Sequence, residues 1–165
     1  MEKKNIVYLH TGSNLGNREE NLSKVNDLIA KFIGKIVTES RLYETEAWGV
    51  TDQPNFYNQA LKVETNLKPQ AILEKTLQIE NEDFNRIRTE KWTARIIDID
   101  ILFYNDEVIK TDNLVIPHPH LHQRNFVLIP LMEIAGEMEH PILKETIEDL
   151  YWKSEDSLEV LIVED

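Results

Sequence analysis

The sequence predicts an α+β fold, an antiparallel sheet with two helices on one of its faces. Three observations predict it. Short runs rich in β-branched and aromatic residues are separated by two stretches of helical spacing. The runs fall in the order β-α-β-β-α-β, with further short pieces after them. Gly12, Gly34 and Pro69 stand at boundaries between runs. This is the split βαβ order of the ferredoxin-like class.

Residues 6–9 read as a buried strand that ends at Gly12-Ser13-Asn14. Leu22, Val25, Leu28, Ile29, Phe32 and Ile33 then recur on one helical face, and Gly34 closes that helix. Residues 36–44 and 58–65 are strand-like through β-branched and aromatic alternation. Between them, residues 46–55 form a loop with Gly49 and Pro54. Pro69 opens a second helix, which Ala71, Ile72, Leu73, Leu77 and Ile79 carry to about residue 84. Residues 96–104 form a strand, and Asn105-Asp106 turns it into residues 107–110 as a hairpin. Residues 126–135 predict a short apolar helix, 147–152 another, and 158–163 a last strand. No repeat, low-complexity tract or linker interrupts this order, so residues 1–165 are expected to form one domain.

Composition narrows the function. There is no cysteine, which excludes disulfides, thiolate metal sites and a Cys nucleophile, and fits a cytoplasmic protein. No apolar run is long enough to span a membrane, and the opening run is too short for a signal peptide. A net charge of −12 argues against nucleic-acid or membrane-surface binding, which need a basic face. Residues 86–95 run against that trend with four cations and one anion. A solvated basic loop is the plain explanation; a phosphate-binding segment is the sharper one.

Asp98-Ile99-Asp100 supplies the reason for the sharper one. On a strand, residues two apart share a face, so the two carboxylates project together while Ile97, Ile99 and Ile101 enter the core. Adjacent carboxylates repel and are costly to desolvate, and a bound cation relieves both. All-oxygen ligands suit Mg²⁺, which takes one or two carboxylates plus substrate phosphates. Taken alone, the pair reads more simply as solvated acids on an edge strand. Arg86, Arg88 and Arg95 shift the balance, since each can fork onto phosphate oxygens close in sequence to the acids. Trp92 in the same segment is either loop packing or a ring that covers a base.

Two further segments bear on ligands. His118, His120 and His122 alternate as zinc ligands sometimes do, but no fourth ligand is evident. A histidine and an arginine facing phosphates fits that run better. Phe56 and Asn58 lie two apart and share a strand face. One ring and one amide suit a flat heterocycle, although the segment alone reads more simply as a core phenylalanine and a capping asparagine.

Together these segments resemble the 6-hydroxymethyl-7,8-dihydropterin pyrophosphokinase family of the folate pathway. The strongest match is Arg86-Ile-Arg-Thr-Glu-Lys-Trp-Thr-Ala-Arg-Ile-Ile-Asp-Ile-Asp-Ile-Leu. It continues in Gly12-Ser13-Asn14-Leu15-Gly16, in Asp52-Gln-Pro-Asn-Phe-Tyr-Asn, and in the run from Val115 through Pro117-His118-Pro119-His120 to Leu131. The resemblance implies transfer of a pyrophosphoryl group from ATP to the pterin hydroxymethyl, with release of AMP. It implies that Asp98 and Asp100 hold two Mg²⁺ ions, and that Asp98 also orients or deprotonates the hydroxyl. Arg86 and Arg95 would neutralise charge on the transferred phosphates. Glu80, Arg88, Trp92, Ile101, His118 and Arg124 would surround ATP. Phe56 and Phe126 would sandwich the pterin, with Asn58 and backbone groups at Thr45, Ala47 and Trp48 reading its edge. Residues 46–55 and 85–94 would close over the substrates.

The chain departs from the family pattern in three places. Thr93-Ala94 stands where Gly-Pro is usual, and Ala47 lies in a stretch where proline is common. Glu80 lies six residues before Arg86 where the family spaces a glutamate at five, so Glu80 and Asn81 compete for the nucleotide, with helix register favouring Glu80. A monofunctional monomer is expected. The alternatives are a degenerate member that binds without turnover, and a non-catalytic ferredoxin-like binding module.

Overall fold

A computed structural model describes residues 4–46, 55–83 and 97–163. The expected sites at Ala47, Trp48, Arg86, Arg88, Trp92 and Arg95, and the two expected closing loops apart from their edges, lie outside the described residues.

The first strand, β1 (Asn5–Ser13), is longer than residues 6–9. It pairs antiparallel with β4 (Phe56–Thr65) on one side and with β5 (Asp98–Tyr104) on the other. The outer side of β4 takes two short strands, β2 (Lys35–Glu39) and β3 (Tyr43–Thr45). The single strand expected over residues 36–44 is therefore split. There the Ser40 N–H still donates to Ala60 O, but the Ala60 N–H is taken by the Ser40 hydroxyl at 2.9 Å in place of the Ser40 carbonyl. β8 (Val160–Ile162) adds antiparallel to β3 and closes the sheet order β5-β1-β4-β3-β8. This is the ferredoxin-like order, with one C-terminal strand added.

α1 (Arg18–Phe32) and α2 (Pro69–Gln78) cover one face. Asn17 caps α1 by accepting from the Glu20 N–H at 3.0 Å, and Pro69 occupies the first turn of α2. Leu22, Val25 and Ile29 of α1 and Ile72 of α2 bury against Val7, Leu9, Leu61, Val63, Ile99 and Ile101. α2 ends earlier than expected, at Gln78, and a π-helical turn follows over Ile79–Asp83. A π turn holds more residues per turn than an α turn, and such bulges concentrate at functional sites.

The hairpin expected after β5 has a different partner. Asn105 turns with φ at 50°, but β6 (Ile109–Lys110) pairs with β7 (Val115–Ile116) rather than folding back on β5. β5 is instead met by the segment after β7, where His118 N–H donates to Leu102 O at 3.0 Å, and Glu107 N–H closes a turn onto Tyr104 O.

The second face is covered by α3 (Asn125–Ala135) and α4 (Ile147–Lys153), matching the two late helices expected. Leu128 and Leu131 of α3 pack with Ile147 and Leu150 of α4 against Tyr8, Ala60, Leu102 and Phe103. Both faces of the central strands are thereby buried. One residue in β5 breaks strict alternation. The β1–β5 register shifts between Tyr8 and Leu9, so Leu102 and Phe103 both join the α3 side.

Candidate active site

The polar face of the sheet lies beside the start of α3. Ile99 and Ile101 belong to the helix-side core, so Asp98 and Asp100 face the other way. Both acids are half-buried. On β1, His10 pairs with Asp100 and Gly12 with Asp98. On β4, Ala60 lies across from His10 and Asn58 across from Gly12. Tyr43 of β3 continues the row beyond Asn58. The expected acids and the expected ring-and-amide pair thus stand on one face, two strands apart, with Gly12 between them.

Gly12 keeps that floor open. A Cβ placed on it would lie 3.4 Å from Asn58 Oδ1 and 3.7 Å from Phe56 Cδ1. Asn58 is buried and donates through Nδ2 to Thr45 Oγ1 at 2.9 Å. That bond orients the amide and joins β4 to the end of β3. Its partner Thr45 is itself buried.

The opposite wall comes from the segment before and within α3. His118 N–H donates to Leu102 O at 3.0 Å, which holds the histidine against β5. Its Nδ1 accepts from the His120 N–H at 3.2 Å. Burial lowers the His118 pKa, the Asp100 carboxylate acts in the opposite sense, and Arg124 reinforces the lowering. The Arg124 guanidinium lies 5.8 Å from the Phe126 ring centroid. Asn125 is anchored by Asp156, whose Oδ2 accepts from its N–H at 2.8 Å. Among the described residues no cluster of three His, Cys, Asp or Glu could hold a metal, so the alternating histidines do not form a zinc site there.

Ile101 lies on the opposite face, its side chain in the helix-side core, so contact with a nucleotide on the acidic face would run through its backbone. Of Glu80 and Asn81, Glu80 is the buried one, at 3 % exposure, and it lies within the π turn. Asn81 is exposed.

The structure also brings in residues that the motif reading passed over. His10 is 3 % exposed and sits between Asp100 and Phe126, with its Nε2 3.2 Å from Phe126 O. Burial lowers its pKa to about 4, although Asp100 and the Phe126 carbonyl oppose the shift, so the ring is neutral at pH 7. The signal for it was parity, since His10 shares a face with Tyr8 and Gly12 once the strand is extended to Ser13. Glu133 of α3 accepts from the Tyr43 hydroxyl at 2.5 Å and from the Arg41 N–H at 3.0 Å, tying α3 to the strand that carries Thr45. Arg18 donates to Glu44 at 3.2 Å and to Asn55 O at 2.8 Å, joining β3 to the last residue of the 46–55 segment. Nothing periodic in the sequence signals these long-range pairs.

Paired acids, a buried amide and aromatic side chains on one face of a ferredoxin-like sheet fit a diphosphate-transferring enzyme. The chain belongs to the 7,8-dihydro-6-hydroxymethylpterin-pyrophosphokinase family, whose model matches residues 8–136. It is 42 % identical over 152 residues to the 2-amino-4-hydroxy-6-hydroxymethyldihydropteridine pyrophosphokinase of Aquifex aeolicus, covering 92 % of each chain. It is 43 % identical over 136 residues to the same enzyme of Bacillus subtilis, covering 82 % of this chain and 81 % of that one. The fold matches the crystal structure of wild-type Plasmodium falciparum HPPK-DHPS with a TM-score of 0.74 at 21 % identity. That match covers 93 % of this chain and 45 % of the longer one. No described helix is long and apolar enough to cross a membrane.

Proposed function

We propose that this ATP-dependent pyrophosphokinase of folate biosynthesis works on the polar sheet face, with Asp98 and Asp100 as its metal ligands. The observation that carries the reading is the single face shared by Asp98, Asp100, Asn58 and, across it, Phe126. Two half-buried carboxylates with only oxygen donors suit Mg²⁺, and we infer two ions. Magnesium held there would neutralise and orient the triphosphate of ATP.

The reaction forms a bond between the pterin hydroxymethyl oxygen and the β-phosphorus. It breaks the bond from that phosphorus to the α–β bridging oxygen, so AMP leaves. Asp98 is placed in this reading to orient the hydroxyl and take its proton. Arg86 and Arg95 offset the charge that shifts during transfer, while Arg88, Trp92, His118 and Arg124 hold ATP, with Glu80 and the Ile101 backbone beside them. Phe56 and Phe126 stack on the pterin, and Asn58 reads its edge with backbone groups at Thr45, Ala47 and Trp48. Residues 1–165 act as one domain, a view supported by a sheet whose strands run from Asn5 to Ile162. We take it to work as a monomer in the cytoplasm.

Product analysis tests the function. ATP, hydroxymethyldihydropterin and Mg²⁺ should yield AMP and the pterin diphosphate. Formation of ADP, or a folded protein without turnover, would reject it in favour of a degenerate or non-catalytic member. Arg95→Ala is expected to lower kcat by about 10²–10³-fold with a small change in KM. A change confined to KM would reduce Arg95 to a binding residue. Asn58→Ala should raise the pterin KM by roughly tenfold or more and leave the ATP KM near its starting value, because it removes a buried, oriented hydrogen-bonding group. Equal effects on both substrates would move Asn58 out of the pterin site.

A further inference from the structure

The first turn of α3 lacks one of its own donors. In an α-helix the carbonyl of residue i accepts from the N–H of residue i+4. Phe126 is the second residue of α3, so its α-helical donor is residue 130. Residue 130 is a proline inside the helix and has no N–H. A carbonyl left without a donor in a buried setting is costly.

His10 stands where the missing donor is needed. Its Nε2 lies 3.2 Å from Phe126 O, across 116 residues of sequence. A carbonyl oxygen only accepts, so Nε2 carries the hydrogen and Nδ1 is the bare nitrogen. Among the described residues Nδ1 has no hydrogen-bond partner, and the polar contact this buried ring makes there is the one to Phe126. The same ring meets the Phe126 ring edge-on, with centroids 5.7 Å apart and planes at 63°. One side chain therefore touches both the backbone and the ring of Phe126. It does so from β1, the strand hydrogen-bonded to the acid-bearing β5 on one side and to the Asn58-bearing β4 on the other.

We propose that His10 is a positioning residue for this reaction. It supplies the donor that Pro130 withholds, and so sets the height and tilt of the Phe126 ring over the sheet face. The proposal rests on the reading of Phe126 as a pterin wall. An aromatic wall contributes to binding only when its plane is held at stacking distance, so a loosened first turn weakens pterin binding more than ATP binding.

Two substitutions that fill the imidazole space isolate the hydrogen bond. His10→Leu cannot donate, whereas the side-chain amide of His10→Gln can reach the same carbonyl. His10→Leu is expected to raise the pterin KM by about tenfold, the order of one buried hydrogen bond, with the ATP KM within about twofold of its starting value. His10→Gln should recover most of that loss. In a Phe126→Ala background, His10→Leu should add little, because its route of action is gone. Equal pterin KM values for the Leu, Gln and unchanged enzymes would overturn the proposal while leaving Phe126 in place, provided Phe126→Ala itself raises the pterin KM. If Phe126→Ala leaves the pterin KM unchanged, the assignment of Phe126 fails and takes the proposal with it. His10→Ala serves as a second donor-less variant. If neither donor-less variant folds while His10→Gln does, the bond is needed for folding rather than for placing the wall, and the proposal is overturned.

Discussion

Asp100→Ala is expected to lower kcat by about 10²–10³-fold with the fold intact, and Asp98→Ala to do the same. Both side chains are half-buried at the rim of the sheet, and their neighbours Ile99 and Ile101 hold the strand in the helix-side core. Removing either carboxylate takes nothing from that core. For Asp100→Ala it also lowers the repulsion between two acids that share a face, so the stability of that variant in the absence of metal should hold or rise slightly. Thermal melts with and without ATP and Mg²⁺ separate binding from turnover. The unchanged enzyme should gain stability from the pair of ligands together, and both variants should lose most of that gain. Near-normal kcat in either variant would remove that carboxylate from the metal site. A lost kcat with an undiminished ligand-induced shift would leave Asp98 a proton acceptor rather than a ligand.

These two acids were legible in the sequence because a strand has a period of two, and parity needs no knowledge of the partner strands. The same rule placed Phe56 beside Asn58, and the helical spacing from Leu22 to Ile33 marked the buried face of α1. Parity across strands was not legible, since it depends on register. Gly12 lies between Asp98 and Asn58 only because β1 pairs with both neighbours at that residue. His10 reads as the end of an apolar run until that register sets it beside Asp100. At the split of residues 36–44, side chains stand in for ladder bonds: the Ser40 hydroxyl accepts from the Ala60 N–H, and the Gln59 amide donates to Ser40 O. The partner of residues 109–110 was misjudged because a turn signal at Asn105-Asp106 says where the chain bends and nothing about which edge is free. Local chemistry announces elements and faces; long-range hydrogen bonds decide which faces meet.

Gly34→Ala should be the most destabilising small substitution in the described chain, costing about 3 kcal/mol or more. The sequence suggested a helix-ending glycine, and the structure assigns it a different need. Among the glycines, Gly16 has a positive φ, 72°, and Gly34 does not. Gly34 is required because β4 passes against it. A Cβ there would lie 2.0 Å from Glu64 O and 2.9 Å from Glu64 C, both backbone atoms with no rotamer to yield. The surrounding turn is held in place, since Thr65 Oγ1–H donates to Ile33 O at 2.7 Å and Gly34 N–H donates to Ile29 O at 3.1 Å. Relief therefore requires the end of α1, or the β2–β4 pairing from Lys35 to Glu64, to move. Urea unfolding of Gly34→Ala should show a lower midpoint with an unchanged m-value. Gly16→Ala provides the contrast. Its Cβ would come no closer than 3.9 Å to Asn21, so its cost is the left-handed backbone alone, about 1 kcal/mol. If the two substitutions prove equally costly, close approach is not what Gly34 serves, and the α1–β2 junction yields far more readily than its hydrogen bonds imply. Because that junction lies on the edge strand away from Asp98 and Asp100, Gly34→Ala should reduce the folded fraction while the kcat of the folded enzyme stays near its starting value.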